Sequence, residues 1–279
     1  MTEEAVQSGQ NGGTSDDDVE LHVEFDGRQI TLRTDVSEMS DYLRRTFRAM
    51  LVPRVSESVG SFHLYRIAGG YALQGPEPLE FTGGIEALFD HLKHEVLFQF
   101  IRSRPDLLWL HSGAVERDGG AVLVSGPSGE GKSTLVTLLC ERGWRFMSDD
   151  VAPISMDADE VLPYPQSPLR RVKARDQTPF IGIGTLEREQ VVIPLDAIQR
   201  GVVPVRAIVF PVFQERTDAV LSRLSEGEAA LELLRNCTSF AAQKSVAVDR
   251  ASRIAHAVPA YRISYGAASD ATRLIRSLK

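Results

Sequence analysis

Eight residues near the middle of the chain constrain its fold more than any other feature. Gly126 to Ser133 read Gly-Pro-Ser-Gly-Glu-Gly-Lys-Ser and match the pattern G-x-x-x-x-G-K-[ST] in full. Small and β-branched residues from Gly120 to Ser125 predict a strand before this loop, and an apolar run from Thr134 to Arg142 predicts a helix after it. A loop in this context directs backbone N–H groups and a helix N-terminus at one anion. The sequence therefore predicts an α/β core that binds phosphate groups.

The loop residues and the first residue after them are the candidate nucleotide ligands. Lys132 is expected to contact the β- and γ-phosphates, and the Ser133 hydroxyl is expected to ligate Mg²⁺, so the predicted cofactors are ATP and Mg²⁺. A glycine-rich turn with a chance lysine is the alternative, and it requires eight residues to fall in register between a strand and a helix by coincidence. The predicted nucleotide-binding residues are Gly126, Pro127, Ser128, Gly129, Glu130, Gly131, Lys132, Ser133 and Thr134.

Two adjacent carboxylates follow the predicted helix. Gly143 suits a helix C-terminal cap, and Trp144 to Ser148 predicts a short strand that leads to Asp149 and Asp150. Because parallel strands bring their C-terminal ends to the ligand crevice, both carboxylates are expected beside the phosphates. Asp149 is then a candidate magnesium ligand, and Asp150 is a candidate acceptor for a hydroxyl proton. An ordinary Asp-rich turn, or an acid that serves ATP hydrolysis alone, is the alternative, but a pair favours transfer to a hydroxyl.

Three short segments together resemble the HPr kinase/phosphorylase family. They are His111 to Val115, Gly126 to Ser133 and Ser148 to Val151, in an order and spacing similar to those of the family. The resemblance implies a P-loop kinase core that phosphorylates a serine hydroxyl of a small protein, with Asp150 as the base. It also implies that His111 lies near the phosphates, where an imidazole can donate to a phosphate oxygen or hold the aspartate. The predicted catalytic residues are His111, Lys132, Asp149 and Asp150.

The resemblance is clearest over residues 107–154, and the chain departs from the family pattern beyond them. The family has a glycine-rich segment with a magnesium-binding Glu about two strands after the Asp pair. Here Leu169 to Lys173 occupies roughly that region, and its Arg170, Arg171 and Lys173 could contact phosphate, contact an acidic acceptor, or form a solvated strand edge. The nearby glycine-rich stretch from Pro179 to Gly184 could line the acceptor site or form a plain turn. This departure weakens the case for a reversible phosphorylase.

The expected partner also comes from the resemblance. The layout is similar to HPr kinase-like proteins that accompany peptide natural-product pathways, which implies a protein or peptide substrate with an acceptor serine. A small-molecule hydroxyl kinase and a nucleotide-dependent regulatory module are the alternatives. Lys244, Arg250 and Arg253 lie on a predicted late helix where the family uses a basic residue, sometimes across an oligomer interface. A homo-oligomer is therefore an open alternative to a monomer. Each of these cationic side chains could equally be solvated.

The rest of the pattern predicts how the chain divides. Residues 1–18 are acidic and almost without apolar side chains, which predicts a disordered tail. Residues 19–104 predict a small α+β N-terminal domain, with one hairpin around Asp26-Gly27, a second around Gly69-Gly70, and helices near Met39 to Met50 and over Ile85 to Arg102. Residues 105–279 predict the P-loop kinase domain, built on a mainly parallel sheet. His91 and His94 lie on the second helix. They are expected to be surface histidines, or histidines whose hydrogen bonds are satisfied within the protein, rather than metal ligands or acid–base groups.

Charge and composition exclude several classes of partner. Of the formal net charge of −7, five negative charges lie in the first eighteen residues, which carry no Lys or Arg, so the folded part is nearly neutral. A neutral surface does not favour nucleic acid, which binds basic patches. Cys140 and Cys237 lack metal-site spacing and are expected to be buried thiols. The N-terminus does not resemble a secretion signal and no apolar run reaches the roughly 18 residues of a membrane span, so a cytoplasmic protein without membrane contact is expected.

Overall fold

The computed structural model describes residues 19–55, 57–76, 80–155, 157–171 and 188–278. In these ranges the chain forms six α-helices and seventeen strands, and the sheets are mixed. Several sequence predictions lie outside the described residues and are therefore untested. They are the tail at 1–18, Lys173, the stretch from Pro179 to Gly184, and the side chains of Arg170 and Arg171.

The first sheet is built from the N-terminal part of the chain. Its strands lie in the order β3-β1-β2-β4-β5-β6, and β4 runs parallel to β2 after a crossover that contains the first helix. Both predicted hairpins are confirmed, and positive φ angles at Asp26 (46°) and Gly27 (74°) form the tight turn of the first one. The elements are β1 (Val19–Phe25), β2 (Arg28–Thr34), α1 (Ser37–Thr46), β3 (Leu51–Val52), β4 (Ser58–Ile67), β5 (Gly70–Gln74), β6 (Glu80–Gly83) and α2 (Ile85–Ser103).

The second sheet follows and carries the motif loop. Its main path is β10-β8-β9-β15-β12-β11-β7, β17 joins β15 and β16 joins β17, whereas β13 and β14 form a separate ribbon. The elements are β7 (Leu107–Leu110), β8 (Ser112–Arg117), β9 (Gly120–Ser125), α3 (Lys132–Cys140), β10 (Arg145–Ser148), β11 (Ala152–Ser155), β12 (Glu160–Val161), β13 (Leu169–Arg171), β14 (Arg188–Gln190), β15 (Val203–Phe213), β16 (Val220–Arg223), α4 (Glu226–Arg235), α5 (Phe240–Ala257), β17 (Ala260–Tyr265) and α6 (Ala268–Arg276).

The prediction of a mainly parallel sheet is wrong. Among the described strand pairs of this sheet, only β15 with β9 and β15 with β17 are parallel, and the other pairs are antiparallel. The physical reason is the short connections. Asp118 and Gly119 alone join β8 to β9, and a two-residue turn can connect only antiparallel neighbours, whereas a parallel pair needs a long crossover.

Two antiparallel pairings bring the motif segments to one edge of the sheet. Strand β8 is antiparallel to both β9 and β10, so β9 and β10 run in the same direction. Ser112 at the start of β8 pairs with Ser125 at the end of β9. His111, Gly126 and Asp149 each adjoin a strand end at this edge. The carboxylates therefore lie at the predicted edge of the sheet. The strands that bring them there are antiparallel neighbours and not parallel ones.

A buried aromatic cluster joins the two sheets. Phe25 of β1 packs against Trp109 of β7 and against Tyr164, with ring centroids 5.1 Å and 5.5 Å apart. Phe100 of α2 packs against Phe25 and Tyr164. All four side chains belong to one hydrophobic core. Edge and tilted aromatic contacts of this kind add to the stabilisation from buried area. The proposed boundary between residues 104 and 105 stays a prediction, but the core crosses it.

Smaller predictions can also be compared with the structure. The sequence from Ser225 to Glu228 predicts a capping box at the start of a helix. The structure confirms it at α4, because the Glu228 N–H donates to the Ser225 hydroxyl and the Ser225 N–H donates to the Glu228 carboxylate. Helix α1 ends at Thr46, four residues before the predicted end. Cys140 and Cys237 are free thiols and only partly buried. Within the described ranges, no helix is long and apolar enough to cross a membrane.

Candidate functional site

The loop from Gly126 to Ser133 connects β9 directly to α3. Gly131 occupies the N-cap position of α3 with φ 86°, in the left-handed region where glycine is favoured, and Gly129 has φ 99°. Residues with side chains rarely adopt these angles, which explains why glycine stands at both positions. The loop therefore turns tightly and ends with the N-terminus of a nine-residue helix.

Glu130 and Tyr265 fasten the loop to the sheet. The Glu130 carboxylate accepts a hydrogen bond of 2.8 Å from the Phe213 N–H at the end of β15. The Tyr265 hydroxyl donates to the Glu130 carbonyl oxygen over 2.8 Å. A Cβ atom on Gly131 would clash with that hydroxyl. Glu130 is one of the predicted nucleotide ligands, but its carboxylate is directed at the sheet. There it supports the loop.

The loop opens onto a cavity of about 580 Å³. Most of the predicted site residues line it, although they come from three separate segments of the chain. Gly126 and Pro127 contribute to the loop without lining the cavity. The predicted residues on its wall are His111, Ser128, Gly129, Gly131, Lys132, Ser133, Thr134, Asp149 and Asp150.

Lys132 is held beneath the loop by main-chain oxygen atoms. Its ammonium donates to the Gly126 carbonyl over 2.7 Å and to the Pro127 carbonyl over 3.0 Å, and the residue is 6% exposed. Burial lowers the pKa of this ammonium, while the charges of Asp150 and Asp149 oppose that effect. The contacts keep a positive charge at the point where the loop and α3 meet.

Asp149 is a buried carboxylate with an unsatisfied oxygen. The residue is 8% exposed, it accepts a hydrogen bond from Ser133, and its Oδ1 has no hydrogen-bond partner among the described residues. Burial raises the pKa of Asp149 to about 6, and the neighbouring charge of Asp150 adds to this effect. A buried, unpartnered carboxylate oxygen beside a hydroxyl fits a cation, because oxygen atoms are the preferred ligands of Mg²⁺.

A complete metal site made of protein side chains is not found in the described part of the chain. No group of three or more His, Cys, Asp or Glu side chains there could hold a metal ion. Mg²⁺ is commonly bound by one or two carboxylates together with substrate phosphates and water. The pair of Ser133 and Asp149 fits that mode of binding, and their assignment as metal ligands stays a prediction.

Asp150 forms a hydrogen bond with His111 at the cavity wall. The His111 Nε2 atom lies 3.2 Å from the Asp150 Oδ1 atom, and the Asp150 side chain is 56% exposed. The hydrogen bond from His111 lowers the pKa of Asp150 to about 2, and the positive charges of Lys93 and Lys132 act in the same direction. The backbone N–H of His111 donates to the Asn236 carbonyl over 2.7 Å, which fixes the main chain that carries the imidazole. Asp150 is therefore an ionised, accessible hydrogen-bond acceptor.

One wall of the cavity was missed by the sequence analysis. It comes from α2 and from the irregular segment after β12. His94, expected to be an ordinary surface or satisfied histidine, is exposed and bonds through Nδ1 to the Asp90 carbonyl over 2.6 Å, but it lines the cavity. A polar face on an otherwise apolar helix was the available signal. The residues of this wall are Asp90, Lys93, His94, Leu97, Tyr164, Gln166 and Ser167.

Two donors on this wall lack hydrogen-bond partners. The Tyr164 hydroxyl and the Gln166 Nε2 atom are buried, and neither makes a hydrogen bond with a described residue. An unsatisfied buried polar group costs about 1–3 kcal/mol, so folded proteins seldom retain one without a reason. Both residues line the cavity, where a bound oxygen atom would satisfy them.

The basic residues of the late helix lie away from the cavity. Arg250 is 2% exposed and pairs with the Asp159 carboxylate at 2.9 Å and with the Ala158 carbonyl. Lys244 is exposed at a kink in α5. Neither these residues nor Arg253 lines the cavity within the described chain. Arg250 therefore has a structural role in holding the segment before β12.

The raised pKa of Asp149 predicts a pH-dependent stability. The folded protein binds this proton more tightly than the unfolded chain does, so ionisation of Asp149 costs folding free energy as pH rises through about 6, and the cost is absent below the unfolded pKa of 3.8. The effect of Asp149→Asn on the free energy of unfolding is expected to be about 2 kcal/mol more favourable at pH 8 than at pH 4, because part of the cost is already present just above the unfolded pKa. Urea unfolding at pH 4, 6 and 8 measures it.

Asp118→Asn is the matched control for this measurement. Asp118 is exposed in the turn between β8 and β9, at the opposite end of the hairpin from the cavity. Its substitution is expected to change the free energy of unfolding by a similar small amount at each pH. An equal effect of Asp149→Asn at pH 4 and pH 8 would show that Asp149 is not buried as an ionised group.

Comparisons with known proteins give a distant likeness only. No protein family model matches this chain, and no curated protein matches it. Among solved structures, the HPr(Ser) kinase/phosphatase from Coxiella burnetii is 16% identical over 61% of this chain and 92% of its own, with a TM-score of 0.34. A likeness this distant does not carry activity or substrate from one protein to the other. The candidate site is therefore argued from its own residues.

Proposed function

We propose that this protein is an ATP-dependent phosphotransferase that transfers the γ-phosphate to a serine hydroxyl of a protein or peptide. The observation that carries the proposal is the convergence of three segments on one cavity. The glycine-rich loop with Lys132, the Ser133–Asp149 pair and the His111–Asp150 pair all meet there. Phosphoryl transfer depends mainly on positioning and on charge stabilisation, and these residue types supply both.

The nucleotide end of the cavity would be formed by the loop and the start of α3. Backbone N–H groups at the N-terminus of α3 suit an anion, and Lys132 adds a fixed positive charge beside them. Ser133 and Asp149 would hold Mg²⁺ through their oxygen atoms. When bound, the metal ion neutralises charge on the phosphate oxygens. Gly131 allows the left-handed backbone that leads into this helix and leaves room for the Tyr265 hydroxyl.

The acceptor end would be formed by Asp150 and the wall that faces it. In the proposed reaction the serine oxygen forms a bond to the γ-phosphorus, the bond from that phosphorus to the bridging oxygen breaks, and ADP leaves. The proton of the serine hydroxyl goes to the Asp150 carboxylate. A weak base is sufficient because the transferred group is largely detached in a loose transition state. The unsatisfied Tyr164 hydroxyl and Gln166 amide can donate to oxygen atoms of the acceptor.

Transfer of labelled γ-phosphate tests the proposal. The wild-type protein, with ATP and Mg²⁺, is expected to label serine peptides or small proteins, and peptides with alanine in place of serine are the substrate control. Label on a serine supports the kinase. Label only on metabolites would favour a small-molecule kinase, and tight binding with no acceptor would favour a regulatory module. Absence of ATP binding would contradict the serine kinase, the small-molecule kinase and the regulatory module alike.

Lys132→Met is the matched variant for the nucleotide end. Methionine keeps the length and apolar stem of the buried side chain but removes the ammonium that contacts the Gly126 and Pro127 carbonyls. ATP affinity is expected to fall about 10- to 100-fold, the range for loss of a charge-assisted hydrogen bond. Isothermal titration calorimetry measures the affinity, and a melting curve shows whether the variant folds. Unchanged affinity in a folded variant would remove Lys132 from the phosphate site.

A further inference from the structure

One face of helix α2 lines the same cavity as the loop. Asp90, Lys93, His94 and Leu97 line the cavity and follow one another at intervals of three, one and three residues, so they share one side of the helix. The opposite side packs into the core through residues such as Leu92 and Val96. The orientation of α2 is thus fixed by its apolar side, and its polar side is presented to the site.

Lys93 is the residue of this face with a permanent positive charge. Its side chain lines the same cavity as Lys132 and as the carboxylate pair of Asp149 and Asp150. Lys132 is drawn under the loop by two carbonyl oxygens, whereas Lys93 approaches from the helix on the other wall.

The charges of the cavity wall favour a positively charged side chain on α2. Its described wall carries three aspartates, Asp90, Asp149 and Asp150, and two lysines. Addition of a triphosphate increases the negative charge most strongly at the terminal phosphate, which is the group furthest from the nucleoside. That phosphate would lie beside Asp150, where ionised carboxylates repel it. A lysine on the facing wall offsets this repulsion as a point charge.

We propose that Lys93 is a second phosphate-binding cation, which contacts the terminal phosphate of a bound nucleoside triphosphate from the wall opposite Lys132. This inference rests on the proposed function, since it requires the cavity to bind a nucleoside triphosphate. It adds that the N-terminal part of the chain, through α2, completes the nucleotide site. Because the contact is made to the terminal phosphate, Lys93 distinguishes a triphosphate from a diphosphate.

Calorimetric titration with two nucleotides tests the role of Lys93. The probes are ADP and the non-hydrolysable analogue AMP-PNP, each with Mg²⁺, and the proteins are the full-length wild type, Lys93→Met and Lys93→Arg. Lys93→Met is expected to weaken AMP-PNP binding about 10- to 100-fold and to change ADP binding by less than about threefold. Lys93→Arg keeps the charge and is expected to retain most of the wild-type preference for AMP-PNP over ADP.

Lys244→Met is the matched control, because it removes one exposed lysine from α5, away from the cavity. It is expected to bind both nucleotides as the wild type does. If Lys93→Met weakens both nucleotides equally, or neither, Lys93 does not contact the terminal phosphate and the inference fails while the proposed function stands. If the wild type binds neither nucleotide, the proposed function fails and the inference fails with it.

Discussion

Asp150→Asn is expected to reduce phosphate transfer to a serine peptide by about 10²- to 10⁴-fold, the usual contribution of a general base. Asparagine keeps the shape of the side chain and can still accept the hydrogen bond from His111, but it cannot take the serine proton. ATP affinity is expected to stay equal or to increase slightly, because the substitution removes a negative charge that repels the phosphates. Single-turnover transfer and calorimetry measure the two effects separately.

Asp118→Asn again serves as the matched control, since it makes the same chemical change at the far end of the β8–β9 hairpin. It is expected to transfer phosphate at the wild-type rate. The Asp150 side chain is more than half exposed, so its substitution is not expected to unfold the protein. Transfer by Asp150→Asn within tenfold of the wild-type rate would exclude Asp150 as the proton acceptor.

Gly131→Ala is expected to have the next largest effect, a loss of nucleotide affinity on the order of 10²-fold. The left-handed backbone at this position costs an alanine about 1–2 kcal/mol. Its Cβ would also clash with the Tyr265 hydroxyl, which is buried and bonded to the Glu130 carbonyl. The loop must then shift away from β17, and Lys132, which is the first residue of α3, is displaced with the first turn of that helix. Calorimetry with AMP-PNP and Mg²⁺ measures the loss.

The double variant Gly131→Ala with Tyr265→Phe separates the two causes. Removal of the hydroxyl relieves the clash but leaves the backbone strain, so partial recovery of affinity is expected. Tyr265→Phe alone loses one hydrogen bond to the loop, worth about 1 kcal/mol, and is expected to have a small effect. Wild-type affinity in Gly131→Ala would show that the observed loop conformation is not the one that binds nucleotide.

Local signals allowed several elements to be predicted from the sequence. The strand over Gly120–Ser125 has the predicted bounds, and the helix after the loop begins at Lys132, two residues earlier than predicted. The hairpin at Asp26-Gly27 and the cap at Ser225 were also identified. In each case a few neighbouring residues carry the whole signal, because a turn or cap depends on local backbone geometry.

Sheet direction could not be obtained in the same way. Alternation of strands and helices was interpreted as a parallel sheet, but β8, β9 and β10 are joined through a hairpin and a returning strand. Asp118-Gly119 was the missed signal, since its positive φ angles of 54° and 78° resemble those of the turn at Asp26-Gly27. Recognition of this second Asp-Gly turn would have corrected the prediction.

The α2 wall of the site depends on contacts between distant parts of the chain. Lys93 precedes Lys132 by 39 residues, and Tyr164 belongs to a segment with no regular pattern. No spacing rule relates such residues, because their proximity results from packing of the first sheet against the second. The pattern of α2 did show which residues were polar, but only the fold shows that they face the cavity.

The aromatic cluster also places an optical reporter beside the site. Trp109 is fully buried with its ring 6.1 Å from that of Tyr164. Tyr164 lines the cavity, and its hydroxyl makes no hydrogen bond with a described residue. The other tryptophan, Trp144, packs near Arg117 and Arg206. A ligand that bonds to Tyr164 changes the surroundings of Trp109 and leaves those of Trp144 unchanged. Intrinsic tryptophan fluorescence therefore offers a label-free signal of cavity occupancy. In a Trp144→Phe variant, Trp109 is the single remaining tryptophan.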